Sequence, residues 1–462
     1  MNTGIFFWGF LVVYGLLMMI FLPRHVTLGG FFRGEDSKGR AASPFMLTAS
    51  LFISWIFAKS VTNAANLGAK YGIVGGVAYA AYWLCIPLAG FAIYRLRKKY
   101  GATGLVSFLT SNYGHGAAFA FSAAILIRLF NEVWSNTSVV GGYYGASGSK
   151  SFVIPALLFT VITLAYSMKG GLRSSIVTDA IQAIIFVFFV IWILVLIMPK
   201  TSFSAVLGSG EWKLETGVDM LLVSCLQILS YPFHDPVLTD RGFISDEKVM
   251  LKSFIISGIL GFLAILVFSF IGIYAANQGI EVSDNVPAQL GKMMGGLAYF
   301  LMITVMVSAA GSTLDSTFSS VAKLVAFDLP QMRKKDLGER GRKLGMAVMV
   351  LFAFLGNIPM VLGTDILKAT TISGTMVIGL APVFLLHGIV RPTKLGFHLS
   401  FWCGIILGFA LTLGAVPAFF AIGTGKQALL LGVNLYGLLL CSAGCILPGI
   451  LLKYPAGAKE PA

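Results

Sequence analysis

The sequence predicts an all-α membrane protein of about 13 transmembrane helices in a single domain, and three observations lead there. Of its 462 residues 57% are hydrophobic and 11% charged, with a mean hydropathy of +0.86, a balance that leaves too little polar surface to clothe a soluble domain. Apolar runs of roughly 20 residues, the length that crosses about 30 Å of hydrocarbon, recur from one end of the chain to the other. The polar stretches between them are too short to build a separate soluble domain.

The first run, GIFFWGFLVVYGLLMMIFLP, has no basic residue before it and no small-residue cleavage site after it. It therefore reads as a retained span at 4–22 rather than a signal peptide. The others fall near 45–69, 74–94, 117–145, 152–168, 176–198, 217–234, 252–275, 294–326, 344–362, 366–388, 396–421 and 428–451. With the N-terminus outside and the C-terminus in the cytoplasm, the basic clusters RLRKK (95–99) and RKKDLGERGRK (333–343) both lie inside, as the positive-inside rule requires. The net charge of +14 is thus a topology signal and not a nucleic-acid footprint. The expected surroundings are a lipid bilayer, the plasma or inner membrane, with no obligatory protein partner evident. Cys85, Cys225, Cys403, Cys441 and Cys445 all sit in apolar runs without a CxxC or His/Cys cluster, so they read as buried small residues and not as disulfides or transition-metal ligands.

Two spans are interrupted by polar and helix-breaking residues. The second carries Ser54, Lys59, Ser60, Thr62, Asn63 and Asn66, and the seventh carries Gln227, Ser230, Pro232 and His234 and runs into Asp235 and Pro236. They are five spans apart, an odd offset, so a repeated unit beginning at each would be inverted in the membrane. Broken backbone at membrane depth is tolerated where it lines a cavity or contacts neighbouring protein; the plainer alternative is a kinked helix with its polar groups satisfied. Arg128 and Glu132 stand four residues apart in span four, the spacing of an ion pair on one helix face, and Asn131, Trp134 and Asn136 give that helix a polar flank that also suits a pathway. Span nine contains VSAAGSTLDSTFSS (307–320), with Ser308, Ser312, Asp315 and Ser319 along one face. Such a face serves either close helix packing or coordination of a hard cation by oxygen.

Between spans five and six, YSMKGGLRSSIVTDAIQ (166–182) resembles the signature of the sodium:solute symporter family, the glucose and proline symporter type, through Gly170, Gly171, Leu172, Thr178, Asp179 and Gln182. QILSYPFHDPVLTDRGFISDEK (227–248) with Arg241, the run Ser308, Ser312, Leu314, Asp315 and Ser316, and NTSVVGG (136–142) are similar to further family motifs, in the expected order. The resemblance implies a LeuT-type fold, a 5+5 inverted repeat whose first and sixth core helices are discontinuous. It divides the chain into an extra N-terminal span and loop (1–44), a first repeat (45–198), an inverted second repeat (217–388) and two C-terminal spans (395–452). It also implies import of a small polar solute by alternating access, coupled to sodium.

By the same resemblance the cation site maps to Ile53 and Ile56 on the first core helix and to Val305, Ser308 and Ala309 on the eighth, with Asp179 at the cytoplasmic start of the fifth. Ala309 stands where the family carries a second hydroxyl, which weakens the site. Substrate-contact positions map near Ser60, Asn63, His234 and Asp235, with Thr371 and Ser373 on the tenth core helix added to them, and Glu132 flanks the same pathway. Lys59, three residues past Ile56, admits several readings: a fixed ammonium replacing sodium, a lysine that carries a proton when desolvated, a partner of Asp235, Glu132 or a substrate carboxylate, or a chain snorkelling to the interface. The coupling ion is therefore sodium, with a proton or no ion as the alternative. A sensory membrane domain of the same type is a further alternative, whereas no HExxH, GxSxG or paired-carboxylate pattern points to an enzyme.

Overall fold

The computed structural model describes residues 3–200, 202–280, 285–362 and 373–451. They form an all-helical, integral membrane protein. Among its helices are α1 (Thr3–Ile20), α2 (Pro44–Ser54), α3 (Ala58–Ala80), α4 (Cys85–Tyr100), α5 (His115–Gly142), α6 (Lys150–Ile197), α7 (Val218–Gln227), α8 (Glu247–Asn277), α9 (Gly296–Lys323), α10 (Gly338–Leu355), α11 (Leu380–Leu385), α12 (Lys394–Thr412) and α13 (Ala428–Leu451), besides shorter ones such as Leu105–Tyr113 and Val286–Met294. Among the described residues eight helical stretches are long and apolar enough to cross a membrane. Two of them, Ala58–Tyr100 with 43 residues and Lys150–Lys200 with 51, are about twice the length that a bilayer needs.

Those two stretches are each bent at a single glycine. Gly72 (φ 64°, ψ −148°) and Gly171 (φ 54°, ψ −135°) adopt backbone angles that a side chain would oppose, and the chain turns there without a loop. At Gly171 the space is also taken, since a Cβ would lie 2.4 Å from the Phe31 carbonyl oxygen. The connections expected at 70–73 and 169–175 are thus one-residue bends within continuous helix.

Two helices are interrupted at depth. The first stops at Ser54 and restarts at Ala58, with Phe57 extended (φ −68°, ψ 142°) between them. No proline causes this break. The second stops at Gln227, passes through a 3-10 turn Tyr231–His234 and an extended Asp235 (φ −105°, ψ 97°), and continues as two short helical turns, Pro236–Thr239 and Asp240–Phe243. Here the cause is local. Pro232 and Pro236 remove backbone donors, and Pro236 pushes the residue before it into extended geometry. The span expected to end at 234 therefore runs on to Phe243, and the span expected to reach 421 ends at Thr412.

Around these breaks α3 packs along α8, α6 along α9, and α12 against α13. α9 is almost entirely enclosed, its hydroxyl-rich run from Val307 to Ser320 buried throughout, so its polar groups must find partners within the protein. A cavity of about 1000 Å³ enters from the face that carries Arg97 and Lys334 and is lined at depth by Phe121, Ile125 and Pro236.

Candidate functional site

The two breaks meet. Trp55, in the first, donates its indole N–H to Asp235 Oδ2 in the second at 3.0 Å. Each restarted helix exposes amide donors at its N-terminus, the positive end of its dipole, and each is answered by an acceptor. Asp235 caps its own helix by accepting from Val237 N at 3.1 Å. Phe57 offers no side-chain cap to α3; instead Asn136 reaches over from α5 and accepts from Ala58 N at 3.1 Å. The Asn136 amide donates in turn to Glu132 Oε2 at 2.9 Å.

Two cations bind the two carboxylates. Lys59 Nζ lies 2.5 Å from Glu132 Oε1 and donates to Ser135 Oγ at 3.2 Å. Arg128 pairs with Glu132 one helical turn away and reaches Asp235 Oδ2 at 2.9 Å. All four side chains are at most 3% exposed. The resulting network is formally neutral, two positive and two negative charges, and Arg128 links Asp235, the cap of the second broken helix, to Glu132, which holds the Asn136 that caps the first.

Of the readings open for Lys59, pairing with Glu132 is the one observed. Its ammonium is consequently half of a close dipole rather than an isolated charge, and its field on a neighbouring ion is correspondingly reduced. The Arg128–Glu132 pair expected from spacing is present, within the larger network. Aromatic rings enclose the group: Trp55 meets Trp83 and Tyr231 at centroid distances of 5.8 and 6.0 Å, and Arg128 lies 5.4 Å from the ring centres of Phe57 and Tyr231. His234, beside Tyr231, donates from Nδ1 to the Tyr231 carbonyl at 2.6 Å, while its buried Nε2 bonds no protein group. Ser60 and Asn63 are joined through Tyr79, whose hydroxyl donates to Ser60 Oγ at 3.4 Å and accepts from Asn63 at 3.2 Å.

Of the positions mapped for a cation, Ile53 stands in the last turn before the first break and Ile56 within it. Thr313 Oγ1 of α9 donates to the Ser54 carbonyl at 3.3 Å, tying the two elements together. The Ile53 carbonyl is engaged by Ile56 N at 3.0 Å. Val305, Ser308 and Ala309 are buried on α9, and Ser308 Oγ, fully buried, bonds no protein group. A buried hydroxyl and backbone carbonyls are neutral oxygen donors, the ligand type that hard cations take.

Further along the α6 and α9 interface, Asp179 accepts from Ser50 Oγ at 2.5 Å, from Ser312 Oγ, and from Arg241 Nη2 at 2.9 Å. Asp315 accepts from Thr178 Oγ1 at 2.8 Å, and Arg241 also donates to Ser316 Oγ at 2.7 Å. Asp179, Asp315 and Arg241 have no solvent exposure. Asp179 is thus a carboxylate held by the Arg241 guanidinium and the Ser50 and Ser312 hydroxyls. Ser316, which accepts from Arg241 and donates to Asp315 Oδ1 at 3.4 Å, stands between the guanidinium and the second carboxylate.

Thr371 lies outside the described residues. Ser373 is described, two residues before Thr375, which accepts from Gln227 Nε2 at 3.4 Å and from Asn434 Nδ2 at 3.1 Å. Sequence reasoning passed over Trp55, Thr375 and Asn434 as site residues, and gave Asn136 as part of a polar flank without its capping role. A lone amide in an apolar run was the available signal for Asn434, while nothing local marks Trp55.

At the mouth of the cavity, Lys323 Nζ bonds Asp240 Oδ1 on the second broken helix and Asp328 Oδ2 on its own element, each at 2.8 Å. The five residues after α9, Leu324–Asp328, form a π-helical turn, whose i to i+5 periodicity brings Asp328 under Lys323.

No family model matches the chain. It is similar to curated transporters: 22% identical over 408 residues to the urea active transporter of Saccharomyces cerevisiae, covering 77% of this chain and 53% of that protein. It is also 26% identical over 190 residues to human sodium/glucose cotransporter 4, covering 40% and 27%, and 22% identical over 495 residues to mouse sodium/glucose cotransporter 1, covering 90% and 72%. The chain spans about half the length of the yeast relative. Among solved structures, an outward-open, substrate-bound Na+-coupled sialic acid symporter superposes with a TM-score of 0.71 at 15% identity, over 96% of this chain and 97% of that one. The nucleobase-cation symporter Mhp1 superposes at 0.54 and 14%, over 92% and 95%. The fold is that of these cation-coupled symporters. The resemblance to sodium:solute symporters carried by the motifs at 166–182, 227–248 and 308–316 therefore extends over most of the chain, and the relatives named are transporters rather than enzymes.

Proposed function

We propose that this protein is a secondary active transporter that imports a small polar solute by alternating access, coupled to sodium. The observation that carries the reading is the meeting of two broken helices around Lys59, Glu132, Arg128 and Asp235, with a cavity leading from one face to Pro236 beside them. A rigid, apolar contact between the helices would need no such arrangement. A network whose members already neutralise one another favours a neutral or zwitterionic solute, since a solute of net charge would leave a buried charge unpaired. Ser60, Asn63, His234 and Asp235 are the residues assigned to its path.

The 5+5 organisation assigns 45–198 and 217–388 to the two inverted repeats, with the N-terminus outside, the C-terminus in the cytoplasm and the cavity open to the cytoplasm. Sodium is assigned to the carbonyls of Ile53 and Ile56 and to Val305 and Ser308. The unbonded Ser308 hydroxyl and the Asp179 carboxylate, with the Ser50 and Ser312 hydroxyls about it, both favour a cation along this seam. A second reading, coupling to a proton or to no ion, is favoured by Ala309, which leaves the site one oxygen short.

The test is uptake of a panel of labelled solutes into proteoliposomes under an inward sodium gradient, an inward proton gradient, or neither. Sodium-stimulated accumulation of one solute class is the expected result. Stimulation by protons alone would move the assignment to the second reading. Saturable binding of a solute without uptake would overturn transport and favour the sensory alternative.

A further inference from the structure

Like Ser308 Oγ on α9, Gln182 Oε1 on α6 is a buried oxygen that bonds no protein group. Its amide nitrogen is occupied, donating to the Tyr14 hydroxyl at 2.6 Å. Tyr14 belongs to α1, the helix that precedes the proposed repeats, and it is 5% exposed. Its hydroxyl is seated on Gly311 of α9, where a Cβ would lie 2.2 Å from the hydroxyl oxygen and 2.9 Å from Gln182 Nε2. Any side chain at 311 would displace the phenol. Tyr166 closes the seat from the α6 side, donating to the Gly311 carbonyl at 3.4 Å.

A primary amide is planar, with its N–H groups and its oxygen on opposite edges. Holding the nitrogen on Tyr14 therefore turns the oxygen away from α1. Gln182 is one turn along α6 from Asp179, and Ser308, Gly311 and Ser312 share the face of α9 from which Ser312 reaches Asp179. Between the unbonded Ser308 hydroxyl and the Asp179 carboxylate, the Gln182 carbonyl is thus an available oxygen whose orientation is set from outside the repeat.

We propose that Tyr14 is a positioning residue for the coupling cation, holding Gln182 so that its Oε1 serves as an oxygen ligand between Ser308 and Asp179. The inference rests on the sodium reading above. It gives the first helix, which has no place in a 5+5 repeat, a part in ion coupling.

The experiment uses the full-length protein in detergent and measures the sodium concentration that half-saturates its thermal stabilisation, with choline chloride holding ionic strength constant. Tyr14→Phe keeps the ring and removes the hydroxyl; the Gln182 N–H left unpaired lowers the melting temperature without sodium modestly, so each protein's sodium dependence is read against its own sodium-free value. Losing one neutral hydrogen bond that orients a ligand should raise the half-saturating sodium about fivefold. Gln182→Ala should raise it at least as much, and the double variant should add nothing further, because Tyr14 acts through Gln182. Gly311→Ala, which fills the seat, should reproduce the shift. An unchanged sodium dependence in Tyr14→Phe, or shifts that add in the double variant, would overturn the role of Tyr14. An unmodified protein that sodium neither stabilises nor drives would overturn the sodium reading itself, and this inference with it.

Discussion

Replacing Lys59 by methionine removes one of four buried charges and leaves the shape of the chain almost unchanged. Glu132 and Asp235 then share Arg128 alone, and a site less than 4% exposed carries one uncompensated negative charge. Removing one partner of a buried ion pair costs about 3–5 kcal/mol, most of it the penalty of the stranded charge. At about 1.4 kcal/mol per factor of ten, Lys59→Met should shift the unfolding equilibrium at least a hundredfold. Adding Glu132→Gln restores neutrality, with Arg128 still bonded to Asp235 at 2.9 Å. The double variant should therefore recover most of the loss, since replacing both partners of a buried pair is often neutral or stabilising. Equilibrium unfolding in mixed micelles, followed by the fluorescence of the buried Trp55 and Trp83, measures all three proteins. A Lys59→Met protein as stable as the parent would show that the lysine is not a paired charge. A double variant no better than the single one would show that the cost was packing and not electrostatics.

Three other outcomes follow from the same structure. Asp179→Asn should slow sodium-driven turnover more than it weakens substrate binding, because Asp179 lies along the proposed ion path and its contacts are to α2, α6, α9 and Arg241; unchanged turnover with weaker binding in uptake kinetics would refute this. A cysteine placed at the exposed Lys335, in a protein lacking the five native ones, should resist impermeant maleimide on intact cells and react in inverted vesicles; ready labelling on cells would overturn the proposed orientation. Gly171→Ala should cost about 1–3 kcal/mol from its backbone angles alone, and more from the contact with the Phe31 carbonyl, seen as a lower melting temperature; wild-type stability would argue against a bend at that residue.

Membrane insertion, the all-helical class and the resemblance to symporters were legible without coordinates, because hydropathy, basic-cluster placement and the motifs at 166–182 and 227–248 are local properties of the chain. The second break was legible for the same reason. Its prolines act on their own neighbours, and the correction there was one of length. The first break has no such cause: ISWIFAKS contains no glycine or proline, and the chain opens where Asn136, 78 residues away, caps Ala58. Lys59 divides the two kinds of information most sharply. Its presence in mid-span announced a function or a partner, since hydrocarbon excludes a bare ammonium. Which partner it has, and hence whether it acts on a nearby ion as a full charge or as half of a neutral pair, depends on where α5 presents Glu132 and where the second break presents Asp235. Those positions are set by packing between segments distant in sequence, and only the folded protein decides them.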